Sequence, residues 1–128
     1  MRNILLFHGL LEAIAGFLLI FNPQWLLYHA QPELQGIVIA KLYGILIFGF
    51  GLISYLLSKS FEHNQMYKQI CLVVISLHLI IGFYMYGVFQ LGVTPHPGAA
   101  ILHLALAIIF LVIYLRNIQK FNHEQPTS

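Results

Sequence analysis

Apolar residues follow one another almost unbroken over four long stretches of this chain, residues 4–21, 37–57, 69–89 and 98–115, and polar residues gather between them. Runs such as Ile4-Leu5-Leu6-Phe7 and Ile108-Ile109-Phe110-Leu111-Val112-Ile113 are apolar at consecutive positions. A membrane-barrel strand would instead alternate polar and apolar over about ten residues. Each stretch approaches or exceeds the roughly 20 residues that a helix needs to cross about 30 Å of hydrocarbon. All five prolines, Pro23, Pro32, Pro95, Pro97 and Pro126, fall outside them, as uninterrupted helices require. The pattern predicts an all-α, polytopic integral membrane protein: a bundle of four transmembrane helices forming one domain over residues 1–128. Arg2 and the apolar run behind it imitate a secretory leader. The run contains His8 and Glu12, however, and ends in Asn22-Pro23-Gln24-Trp25 without a small-x-small cleavage pattern, so the first span is expected to be retained.

Composition closes off the alternatives. Apolar residues make up 59% of the chain and charged ones 8%, against roughly 25% charged in soluble domains, so a water-facing surface cannot be assembled. The net charge of +2 is the balance of six scattered basic and four acidic residues; no basic cluster forms, and nucleic acid is not an expected partner. With four crossings, Arg2, Lys59, Lys68, Arg116 and Lys120 fall on one side. The positive-inside rule then makes both termini cytoplasmic, and a bacterial cytoplasmic membrane is the expected location. Lys41 lies toward the opposite end of the second span, where its stem can snorkel to the headgroups. In the first outer connection, Trp25-Leu26-Leu27-Tyr28 is apolar enough to dip into the membrane surface. Cys71 is the single cysteine, which excludes an intrachain disulfide.

Candidate chemistry rests on the polar residues inside the spans, because an ionisable group near a helix centre costs on the order of 2.5–3.5 kcal/mol on insertion scales. Five occur: His8, Glu12, Lys41, His78 and His103. At about 1.5 Å per residue from the cytoplasmic boundary they form a series from roughly 6 Å deep at His8 to roughly 24 Å at Lys41. Glu12 is expected to face the bundle interior, a partner subunit or a wet cavity. His8 and Glu12, four residues apart, share a helical face and can share a proton; Gly9 and Gly16 beside them allow a neighbouring helix to approach. His78 shares a face with Cys71, Val74 and Gly82, and His103 with Ala99, Ala100, Ala107, Phe110 and Tyr114. One expectation is therefore an interior proton- or ligand-binding site of Glu12, His8 and His78, with His78 and His103 extending a path outward toward Lys41. The competing expectation is interhelical glue, with Glu12 hydrogen-bonded to His8 or His78 and nothing more.

Other chemistries receive less support from the residues. His8, Glu12, His78 and His103 are suitable ligand types for zinc, copper or iron, but no tight metal-binding signature occurs. His78 with His103 is the only pair on adjacent spans suited to bis-histidine haem. A surface set of His29, Glu33 and His96 is interrupted by Pro32. No nucleophile elbow, phosphate loop, dinucleotide fingerprint or paired-cysteine motif is present, so no catalytic activity of the chain on its own is expected and no cofactor is assumed. Ala40 and Gly44 form a small-xxx-small pair, suited to tight packing within the chain or to a seam with a second copy.

Residues 9–23, Gly-Leu-Leu-Glu-Ala-Ile-Ala-Gly-Phe-Leu-Leu-Ile-Phe-Asn-Pro, followed by the glycine-rich 44–51, Gly-Ile-Leu-Ile-Phe-Gly-Phe-Gly, resemble the small four-helix bacterial membrane proteins of DoxX-like or unknown-function type. The resemblance covers the topology of nearly the whole chain. It implies a membrane subunit working beside a quinone or a protein partner, and it carries no catalytic residue onto this sequence.

Overall fold

The computed structural model describes residues 1–24, 33–62 and 64–123. Among them the chain is all-α: α1 spans Arg2–Phe21, α2 Leu34–Lys59, α3 Gln65–Gln90 and α4 Gly98–His123. All four are long and apolar enough to cross a membrane. The later three overrun the apolar stretches that predict them. A 26-residue helix is about 39 Å long, more than the roughly 30 Å of hydrocarbon a span has to cover. Residues 25–28, expected to dip into the membrane surface, lie outside the described residues, as does His29.

Helix ends follow local chemistry. Asn64 caps α3, its Oδ1 accepting the Tyr67 N–H at 3.1 Å, which satisfies one of the donors a helix start leaves open. At the other end of α3, Gly92 takes φ +71°. The Val93 N–H then reaches Val88 O at 3.2 Å and the Gly92 N–H reaches Phe89 O at 2.9 Å. This pair of crossed bonds closes a helix through a left-handed residue, which glycine adopts without a Cβ penalty. Pro23 stands just past α1, where a helix that cannot continue is expected to stop.

The described chain divides into two compact units, one of Arg2–Phe61 with α1 and α2, the other beginning at Glu62 with α3 and α4. In the first unit the buried positions of α1 are Leu5, His8, Gly9, Glu12, Gly16 and Leu19, and those of α2 are Ala40, Gly44, Gly51, Ser54 and Ser58. Spacings built mostly from three, four and seven residues keep them on one stripe, with Gly9 beside His8, as in coiled-coil packing. The glycines show how close the helices come. A Cβ on Gly16 would lie 2.5 Å from Phe48 N and 2.7 Å from Gly44 O, and one on Gly51 would lie 2.5 Å from Ala13 N and 2.8 Å from Gly9 O. Gly9 thus faces Gly51 and Gly16 faces Gly44, so α1 and α2 run antiparallel with backbone against backbone.

In the second unit α3 buries Tyr67, Cys71, Val74, Ile75, His78 and Gly82, and α4 buries Ala100, Leu106, Ala107, Phe110 and Tyr114. The face expected for His78 is therefore buried throughout. Of the residues expected beside His103, all are buried except Ala99, which is exposed, and His103 itself is half-buried. Large apolar side chains such as Leu46, Phe83 and Ile101, 71%, 66% and 62% exposed, cover the remaining faces. A surface this apolar suits acyl chains and would be an aggregation liability in water.

Candidate functional site

Both ring nitrogens of His8 are engaged. Its Nε2 lies 3.5 Å from Glu12 Oε1, one turn along α1, and its Nδ1 lies 3.2 Å from Ser54 Oγ on α2. The ring is fully buried, Glu12 is 5% exposed and Ser54 2%. Phe50 closes one side, its ring meeting the imidazole edge-on at 5.5 Å between centroids. The four-residue spacing brings carboxyl and imidazole together, and the glycine contact brings Ser54 within reach: the side chain of a larger residue at Gly9 or Gly51 would hold the helices apart. At 3.5 Å the His8–Glu12 contact is longer than a tight charge-assisted bond of about 2.8 Å.

The chemistry of the three groups sets their roles. An ionised carboxylate only accepts, so His8 must then present Nε2–H to Glu12, and in the neutral imidazole its Nδ1 lone pair accepts from the Ser54 hydroxyl. If Glu12 carries a proton and donates it to Nε2, His8 becomes the Nδ1–H tautomer and donates to Ser54 Oγ. The hydroxyl serves in either sense because it both donates and accepts. Ser58, one turn beyond Ser54, is also buried and donates to Tyr55 O at 2.6 Å.

His78 and His103 meet in the second unit, Nδ1 to Nδ1 at 2.9 Å. Their ring centroids are 5.1 Å apart with planes tilted by 32°. The 2.2 Å difference between 5.1 and 2.9 Å is about what two ring radii supply, so the nitrogens point head-on at one another. One ring donates and the other accepts. Phe110 stacks on His78 at 6.3 Å. A zinc ion with bonds of 2.0–2.1 Å would space two tetrahedral nitrogens about 3.3 Å apart; the observed separation is that of a hydrogen bond. Haem ligation needs the imidazoles on opposite faces of a macrocycle. The direct bond leaves no such gap, and one turn away a Cβ on Gly82 would lie 2.7 Å from Leu104 Cδ2. The pair does not fit haem between its rings.

Lys41 stands apart. It is exposed on α2, one position off the buried stripe that carries Ala40 and Gly44, so the fold turns it away from the seam that holds His8 and Glu12. Glu33 and His96 are both exposed, and Thr94 Oγ1 donates to His96 O at 3.4 Å. Cys71 is buried. Ser54 is the residue that sequence reasoning missed. The signal was present, since Gly44, Gly51, Ser54 and Ser58 continue one stripe of small residues, but a search for serine hydrolase motifs passes over a serine whose partner is 46 positions away.

No protein-family profile matches the chain, nor does any curated protein or solved structure.

Proposed function

We propose that the chain is a small integral membrane subunit whose first helix pair holds a protonatable interior site, with Glu12 as the group that gains and loses the proton and His8 as its immediate exchange partner. The observation that carries this reading is the buried imidazole of His8 with a carboxylate at one nitrogen and a hydroxyl at the other. A carboxyl group is an expensive way to join two helices, since a hydroxyl would supply a hydrogen bond at far less desolvation cost. In this reading the chain crosses a bacterial cytoplasmic membrane four times with both termini inside, and it serves a membrane-protein partner or a second copy of itself. The DoxX-like resemblance adds a quinone or a redox partner as the class of associate to look for.

Infrared difference spectroscopy of the purified protein across a pH titration tests the reading. A carboxyl C=O band that titrates in the wild type and is missing in Glu12→Gln, with helicity unchanged, is expected. An identical spectrum in the two proteins would sink it. Affinity isolation from native membrane, with identification of copurifying proteins and small molecules, tests the associate.

A second reading has its own observation. The glycine contacts make the first pair a tightly registered scaffold, and in a purely structural subunit the polar chain would only fix that register. Glu12→Gln, which keeps the shape and hydrogen-bonding capacity while removing the titration, would then leave every cellular phenotype unchanged.

A further inference from the structure

Among the described residues, the buried polar side chains of the first unit all lie in one half of its seam. They are Glu12, His8, Ser54 and Ser58, at 5%, 0%, 2% and 1% exposure. The register set by Gly9 against Gly51 and Gly16 against Gly44 puts Ser54 level with Leu6 and Ser58 level with Arg2. The four groups therefore step from the middle of the pair to the end that carries Arg2 and Lys59, over about 15 Å of α1. Past Glu12, toward Phe21, the buried positions are Gly16, Leu19, Ala40 and Gly44. None has a side-chain donor or acceptor. Their backbone groups are spent within the helices, and the Gly16–Gly44 contact brings the two backbones together.

We propose that Glu12 exchanges protons with one face of the membrane only, the face at the Arg2 and Lys59 end, through His8, Ser54 and Ser58. This rests on the reading of Glu12 as protonatable and adds the side from which it is reached. Inward transfer starts with Glu12 ionised and His8 as the Nε2–H tautomer. Ser54 passes its hydroxyl proton to His8 Nδ1 and takes one from the direction of Ser58, while His8 releases Nε2–H to Glu12. One proton enters, the carboxyl becomes neutral, and His8 is left as the Nδ1–H tautomer. Release reverses each step. The serines are four residues apart on α2, about 5–6 Å between Cβ atoms, a gap that one water spans with two hydrogen bonds of about 2.8 Å. Tyr43 of α2 is level with Phe17 in the same register. It lies on the other side of Glu12 along the pair and is 43% exposed, so it is the control for access from the opposite face.

Dicyclohexylcarbodiimide, which modifies a carboxyl group in its protonated form, reports the state of Glu12. The full-length protein is reconstituted in vesicles, oriented by protease removal of an N-terminal tag, with pH set independently inside and outside. Labelling of Glu12, located by peptide mass, is expected to follow the pH at the Arg2 end and to ignore the pH at the other. Ser54→Ala and Ser58→Ala should slow the response to a pH jump at that end at least tenfold with the final extent of labelling unchanged, and Tyr43→Phe should keep the same sidedness. Labelling that follows the opposite face or both faces overturns the proposal while leaving Glu12 protonatable; wild-type response rates in both serine variants overturn the route. A folded protein unlabelled at every pH overturns the protonatable reading itself, and the sidedness falls with it.

Discussion

The two helix pairs solve the same packing problem with different materials. In α1 and α2 four glycines face each other at seven-residue spacing, the backbones touch, and the polar groups lie along the stripe. In α3 and α4 a single close glycine, Gly82, meets the Leu104 side chain first, its Cδ2 and Cγ at 2.7 Å from an added Cβ and the backbone N farther off at 3.2 Å, and Phe110, Tyr67 and Tyr114 fill the seam instead. A backbone contact cannot yield, whereas a side chain can rotate. The first pair is therefore the one in which register, and with it the His8–Ser54 distance, is rigidly set. The second pair brings two imidazoles together with less demanding geometry around them.

The strongest way to break this contrast is to add one methyl group to each seam. Gly16→Ala should cost about 3 kcal/mol or abolish folding, since overpacking against backbone leaves only separation of the helices as relief, while Gly82→Ala should cost about 1 kcal/mol because Leu104 can move. Denaturant unfolding in detergent compares them, and equal losses would remove the distinction. Next in size is the histidine pair. A double-mutant cycle of His78→Phe and His103→Phe should give a coupling of about 0.6–1.7 kcal/mol, the range of interhelical hydrogen bonds in membrane proteins; a coupling of zero would mean that the head-on bond does not form. Ser54→Ala should cost about 0.6 kcal/mol by the same measure, a small stability loss beside the tenfold kinetic effect expected at Glu12. Smallest of all, Gly49→Ala adds a Cβ into open space and should change stability by no more than about 0.5 kcal/mol, which serves as the control for the seam glycines.

Much of the architecture was legible in the residue pattern. Four apolar stretches of sufficient length mark four helices because no other backbone arrangement within such runs satisfies its polar groups in hydrocarbon. The four-residue spacing of His8 and Glu12 placed them together for the same local reason: one helix decides both positions. The faces around His78 were likewise readable from periodicity. The side of α2 on which Lys41 stands was not readable from its depth, because a depth count along the membrane says nothing about azimuth, and the stripe that includes Ala40 excludes its neighbour by about 100° of helical rotation.

What the chain specifies by itself is thus what a single apolar stretch can settle: how many segments are long and apolar enough to cross a membrane, and which residues share a face, though not the helix ends, which run past those stretches. The pairing of faces belongs to the tertiary structure. Ser54 joins His8 only because Gly9 and Gly51 let two backbones meet in one register, and His78 reaches His103 only once α3 and α4 lie against each other. Those partners are 46 and 25 positions apart, and a separation of that kind acquires meaning only when the helices between them have been folded back and packed.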